Sequence, residues 1–179
     1  MLEVKTPRLR PSRALKTLYA MPTGKIKMKR KMKIYLDTSI ISALFDERNP
    51  ERKSLTEAFF KDIGNFKTFI SEITVAEIER TPDMELQSKM KEVVAQFSVL
   101  SLTDDVEWIA SEYIRHGAVP EGYPEDAYHI AIAVVNEMGY LLSWNFKHIV
   151  RRKTRDIVRM VNTLNNVRQI EIMTPAELL

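Results

Sequence analysis

From Lys33 onward the chain alternates short apolar runs with longer amphipathic stretches. Ile34-Tyr35-Leu36 is a compact apolar run closed by Asp37, the pattern of a buried strand. Thr38 and Ser39 can cap a short helix through Phe45, and Pro50 opens a second one. Leu55, Ala58, Phe59 and Ile63 recur at helical spacing there until Gly64 stops them. Phe66 to Ile70 predicts strand two, after which Ser71 caps a helix carrying Ile73, Ala76, Glu77 and Arg80, cut by Pro82. Leu86, Met90, Val93 and Val94 predict another helix, leading into a strand over residues 98–102. Thr103-Asp104-Asp105 is a helix start, with a cap followed by acids in the first turn, and the helix runs to His116 before Gly117. Pro124 opens a long apolar helix to Met138, for which Gly139 is the expected cap. A strand over 140–143, a helix over 154–165 and a last strand over 169–173 complete the pattern.

Strands that alternate with helices imply an α/β fold whose sheet is mainly parallel, with helices on both faces. The length of 179 residues suits one domain, and no internal repeat is visible. The absence of cysteine excludes a disulfide scaffold, a zinc finger, a Cys-ligated iron–sulfur cluster and a thiol nucleophile. No apolar run has the length of a membrane span, so the expectation is a soluble, cytoplasmic protein with no membrane partner.

Charge divides the chain in two. Residues 1–33 hold eleven basic side chains against the single acid Glu3, a net of +10, whereas the remainder carries sixteen basic and twenty-three acidic ones, a net of −7. With Pro7, Pro11, Pro22 and Gly24 and no sustained periodicity, residues 1–31 read as a basic, disordered extension joined to a domain over 32–179. Such an arm could bind nucleic acid, act as a targeting peptide, or lie upstream of a natural start at Met28 or Met32. The last account is the one favoured here.

Three acids fall where open parallel sheets place their ligands, beyond the carboxyl ends of strands. Asp37 ends strand one, Glu77 lies in the helix after strand two, and Asp126 occupies the first turn after Pro124. Gathered without cations they would repel one another, and hard oxygen ligands of this kind suit Mg²⁺ or Mn²⁺. Each alone also has an ordinary explanation as helix cap, solvated helix acid or helix-start charge. His129 shares a helix face with Asp126 but reads first as a packing residue, and Glu125 faces elsewhere. No G-x-S-x-G turn, P-loop or G-x-G-x-x-G occurs, which leaves a serine triad and nucleotide chemistry unsupported. Lys147, His148, Arg151, Arg152, Lys153 and Arg155 form a second basic patch, either solvated surface or a rail for phosphates. Trp144 beside it reads as core or pocket wall more than as a base-stacking ring.

Four strings, in order, resemble the PIN-domain family: Ile34-Tyr35-Leu36-Asp37-Thr38-Ser39, Thr74-Val75-Ala76-Glu77-Ile78, the run from Glu125 to Ala133, and the run from Leu142 to Ile149. Within it the pattern is most similar to VapC-type ribonuclease toxins of toxin–antitoxin pairs, over about residues 32–178, including the closing Ile172-Met173-Thr174-Pro175-Ala176-Glu177.

The resemblance implies a three-layer α/β/α fold with a parallel sheet of four or five strands in order 3-2-1-4-5, and an acidic pocket for Mg²⁺ or Mn²⁺. It implies Asp37, Asp126 and Glu77 as metal-binding and catalytic residues, and Ser39 as a hydroxyl that holds water or substrate. Where the family places a fourth acid this chain has Asn145, a neutral oxygen donor that could assist catalysis or leave a fold that binds without cutting. Ser39, Ser143, Lys147 and Arg151 are the candidate substrate contacts. The expected activity is a metal-dependent endoribonuclease, with RNA as substrate, an antitoxin as partner and a homodimer as assembly. The alternatives are a non-catalytic RNA-binding module and a housekeeping RNA-processing nuclease.

Overall fold

A computed structural model describes residues 31–178. The basic extension inferred for residues 1–31 lies outside this range except for Lys31. Five strands are described: β1 Met32–Leu36, β2 Phe66–Ser71, β3 Ser98–Leu100, β4 Tyr140–Leu142 and β5 Glu171–Met173. They form one sheet in the order β3-β2-β1-β4-β5, and every pairing is parallel. Eight α-helices are described: α1 Thr38–Ala43, α2 Pro50–Lys61, α3 Glu72–Glu79, α4 Met84–Val94, α5 Asp104–Arg115, α6 Pro124–Val135, α7 Arg152–Leu164 and α8 Pro175–Leu178. None of them is long and apolar enough to cross a membrane.

The period of two in a strand divides β1 between two cores. Tyr35, Phe69, Leu141 and Ile172 point to one face, covered by α5, α6 and α7 through residues such as Val106, Ile109, Tyr113, Ile130, Val158 and Val161. Ile34, Leu36, Ile70 and Leu142 point to the other, against Ile40 and Ile41 of α1, Phe59 of α2, Ile78 of α3 and Met90 of α4. Burial on both faces explains why β1 reads as a continuous apolar run. Each fully enclosed Ile or Leu contributes about 1.5–3 kcal/mol of transfer free energy.

Helix ends refine the expected boundaries. Asp37, and not Thr38 or Ser39, is the N-cap of α1, its Oδ1 accepting the Ile40 N–H at 3.3 Å. Ser71 and Thr103 cap α3 and α5 as their sequences suggest. Gly117 ends α5 with φ +73°, while Ala118 N–H closes on Tyr113 O at 2.9 Å. The long apolar helix stops at Val135, three residues early: Glu137 takes the left-handed position at φ 56° and Met138 N–H bonds to Ala133 O. Gly139 serves a different need. Its N–H donates to Lys33 O at 2.9 Å, and a Cβ there would lie 3.3 Å from that same oxygen, so the close approach of β4 to β1 calls for glycine. Helix α7 begins two residues early, β3 and β5 are shorter than expected, and α8 adds a turn after β5.

Candidate active site

The strand order reverses direction between β1 and β4, and the crevice outside their carboxyl ends is where such sheets hold ligands. Leu36 pairs with Leu142, so Asp37 leaves β1 beside Ser143 leaving β4. Asp37 is 3% exposed and is gripped on both oxygens. Ser39 Oγ donates to Oδ1 and Ser143 Oγ donates to Oδ2, each at 2.5 Å. Both hydroxyls are themselves fixed, Ser39 accepting the Trp144 N–H at 2.7 Å and Ser143 accepting the Asn145 N–H at 2.9 Å. Ser143 is wholly buried beneath the carboxylate. Its hydroxyl therefore orients Asp37, and the same holds for the Ser39 hydroxyl.

Asp126 enters from the first turn of α6, half-buried. Asn145 Nδ2 donates to its Oδ1 at 2.9 Å, while Asn145 Oδ1 accepts the His148 N–H at 2.9 Å. The amide thus turns its nitrogen, and not its oxygen, toward the aspartate. Burial, and then the negative charges of Asp37, Glu77 and Glu125, raise the Asp126 carboxyl to about 6 against the pull of His129. Burial also raises Asp37, although His129 and the two serine hydroxyls oppose it.

Glu77, on α3, faces a different set of partners. Thr38 Oγ1 donates to its Oε2, and His129 Nε2 lies 3.2 Å from the same oxygen. His129 is 2% exposed, and its Nδ1 is 2.6 Å from the Tyr35 hydroxyl, which is in turn 2.7 Å from Ser71 Oγ. A buried polar chain therefore runs from Ser71 through Tyr35 and His129 to Glu77 and Thr38. Burial alone would push His129 down, but Tyr35, Glu77 and Asp37 together hold it well above its ordinary value. Burial would likewise raise Glu77, yet the His129 contact and the Thr38 hydrogen bond leave it lowered. The sequence pattern missed Tyr35 and Thr38 as participants and undervalued His129. A tyrosine inside an otherwise aliphatic strand and a histidine within an apolar helix face were the available signals.

The basic patch divides on inspection. Arg151 donates to Ala118 O and Thr154 Oγ1, stapling the start of α7 to the loop after α5. Arg155 is clamped on Glu177 by two hydrogen bonds of 3.0 Å. Lys147 is exposed near Tyr123, and Trp144 is core, its Nε1–H donating to Thr56 Oγ1 at 2.9 Å. Glu125 faces Arg80 at 4.0 Å on the outside. Clefts of about 540 Å³ lie beside α1 and α2, and one of about 670 Å³ lies along α7; none of them is lined by Asp37, Glu77 or Asp126.

Among the described residues no three carboxylate or imidazole groups stand close enough together to enclose a metal ion. The chemistry of the donors nevertheless fits a hard dication. Two aspartates are held by fixed hydrogen bonds and made costly to ionise by burial, with Glu77 adding to the cost for both and Asp37 adding to it for Asp126, while His129 acts in the opposite sense on each. Asp37 and Asp126 fit as direct ligands, and Glu77 would complete the set on turning from His129.

The family model described as PIN domain matches residues 34–143. The chain belongs to the PIN-domain family. No curated protein matches its sequence significantly. Among solved structures, VapBC-1 from nontypeable Haemophilus influenzae superposes with a TM-score of 0.54 at 16% identity, covering 81% of this chain and 99% of that one. VapBC2 from Rickettsia felis, bound to a DNA fragment from its promoter, gives 0.51 at 15% identity, covering 79% and 97%. The PIN fold of this chain, with its five parallel strands in order 3-2-1-4-5, is thus shared with these proteins.

Proposed function

We propose that this PIN domain is an Mg²⁺- or Mn²⁺-dependent endoribonuclease, the toxin of a toxin–antitoxin pair. One observation carries the reading. Asp37 and Asp126, both raised by burial and Asp126 also by the charges of Asp37 and Glu77, lie at the strand-order switch with their orientations fixed by Ser39, Ser143 and Asn145. Buried acids arranged at such a cost to stability are the mark of a site whose counter-charge is a ligand. A bound dication would supply an activated water and charge neutralisation for a phosphodiester displacement.

The chain's own residues do the rest. The serine hydroxyls hold Asp37 in one rotamer, so no ordering entropy is lost on binding. Asn145 aims Asp126 and anchors the turn that carries Lys147. Thr38 and His129 hold Glu77 at the rim, where its carboxylate is within reach of the aspartates' field. The antitoxin partner is supported by both structural neighbours being VapBC complexes. The homodimer and the cytoplasmic location rest on the family resemblance.

A second reading, an RNA-binding PIN module without catalysis, is favoured by the amide at position 145 and by the absence of a closed three-ligand cluster among the described residues. Incubating a mixed RNA pool with Mg²⁺, Mn²⁺ or EDTA, for wild type and Asp126→Asn, separates the two. Metal-dependent fragments that vanish in the variant support the nuclease. RNA binding without fragments supports the module.

A further inference from the structure

Beside the aspartates, the turn after β4 and the start of α6 build a second feature that the proposed chemistry does not use. His148 is 6% exposed, and among the described residues neither of its ring nitrogens has a hydrogen-bond partner although both are enclosed. What covers it is the ring of Tyr123, whose centroid lies 4.2 Å away at a 30° tilt. Tyr123 itself is 44% exposed. Lys147 Nζ is 3.3 Å from the Tyr123 hydroxyl and 5.0 Å from the ring centroid. The unit is tied to the acidic site at two points: Asp126 N–H donates to Tyr123 O at 3.2 Å, and His148 N–H donates to Asn145 Oδ1.

A buried donor or acceptor left unpaired costs about 1–3 kcal/mol, so a histidine kept there only to fill space would be outcompeted by an apolar ring. Its stacking on Tyr123 instead fixes a half-exposed aromatic plate, backed on one side by His148, with the exposed Lys147 ammonium group at its hydroxyl edge. A flat π-face flanked by a cation is the combination that takes a nucleobase and its phosphate from a single strand. Acidic peptides would find the ammonium but would gain little from the plate.

We propose that Tyr123, backed by His148 and flanked by Lys147, is a nucleotide subsite for single-stranded RNA. A base stacks on the exposed side of Tyr123, its phosphate meets Lys147, and the adjoining phosphodiester is thereby laid over Asp37 and Asp126. This inference rests on the ribonuclease reading and names its substrate as unpaired rather than duplex RNA, because a base must leave its stack to reach the plate.

The test is binding of the full chain, in EDTA, to a short single-stranded RNA carrying 2-aminopurine, whose fluorescence falls when the base stacks. A duplex of the same sequence and a metal-dependent cleavage assay are run beside it. Wild type is expected to quench the single strand. Tyr123→Ala is expected to lose the quench and to bind about tenfold more weakly, in keeping with the value of one base–aromatic stack. Tyr123→Trp should restore both, and Lys147→Ala should weaken binding and lower its salt dependence by about one phosphate contact. A wild type that cleaves RNA while quench and affinity ignore residue 123 overturns the subsite and leaves the nuclease standing. A wild type that neither binds nor cleaves overturns both.

Discussion

Asn145 points its amide nitrogen at Asp126, Nδ2 to Oδ1 at 2.9 Å, where a fourth acid of the family pattern would have placed a carboxylate. A hydrogen bond from a neutral donor thus stands in place of a second negative charge. Asn145→Asp should therefore destabilise the metal-free protein, by about 1–3 kcal/mol, since a charged hydrogen bond becomes a like-charge contact. The same variant should bind Mn²⁺ more tightly. Thermal unfolding with and without Mn²⁺ reads both effects, and unchanged melting in either condition would contradict this role for Asn145.

The pH dependence of stability follows from Asp126. Its carboxyl titrates at about 6 in the folded chain against an ordinary 3.8, so between these values the folded state binds more protons than the unfolded one. Stability from this group is then lost as pH rises from about 4 to 6 and stays lost above. Asp126→Asn should stabilise the metal-free protein at pH 8 and confer little at pH 4. A stability difference between the two proteins that does not change with pH would refute the assignment.

Ser143→Ala removes a buried donor from Asp37 Oδ2. The variant should lose about 1.5–3 kcal/mol of stability, the usual worth of a hydrogen bond to a charged group. Because the hydroxyl helps keep Asp37 ionised, RNA cleavage by the variant should need higher pH than wild type. A pH–rate profile superimposable on wild type would show that Ser143 is not oriented toward Asp37 in solution.

Tyr35→Phe breaks the polar chain at its centre, leaving His129 Nδ1 and Ser71 Oγ without the phenol. A loss of about 1–3 kcal/mol is expected from the orphaned groups. Glu77, held by His129 on the far side, should also lose its fixed position, weakening Mn²⁺ binding measured by calorimetry. Lower stability with unchanged metal affinity would confine Tyr35 to a structural role.

Much of this was legible in the residues. The alternation of apolar runs and helical stretches places every strand, because both cores draw on alternate residues of strands such as Ile34-Tyr35-Leu36. Asp37 directly follows β1 and Asp126 lies in the first turn of α6, positions whose elements are plain in the sequence, whereas Glu77 sits a turn and a half into α3 and is placed by that helix's packing. What was illegible depends on partners far apart in the chain. Asp37 meets Ser143 across 106 positions and Tyr35 meets His129 across 94, so a polar ring in the aliphatic strand signals a buried partner without saying which. The charge of Arg151, a candidate phosphate contact, is visible in the sequence, whereas its hydrogen bond to the carbonyl of Ala118 is not. The end of α6 differs from the sequence expectation for a similar reason: Gly139 has the position of a helix cap, yet it is glycine for the sake of Lys33 O on the neighbouring strand.

The claim that Asp37 and Asp126 form a metal-dependent RNA-cleaving centre is tested most directly at Asp37. Asn is a good helix N-cap and keeps a side-chain oxygen for Ile40 N–H, so Asp37→Asn removes the charge while leaving α1 its start. Wild type and Asp37→Asn, shown to be folded by circular dichroism, are incubated with a mixed RNA pool in Mn²⁺ and in EDTA. The account predicts fragments only from wild type and only with Mn²⁺. Equal cleavage by the folded Asp37→Asn protein would contradict it.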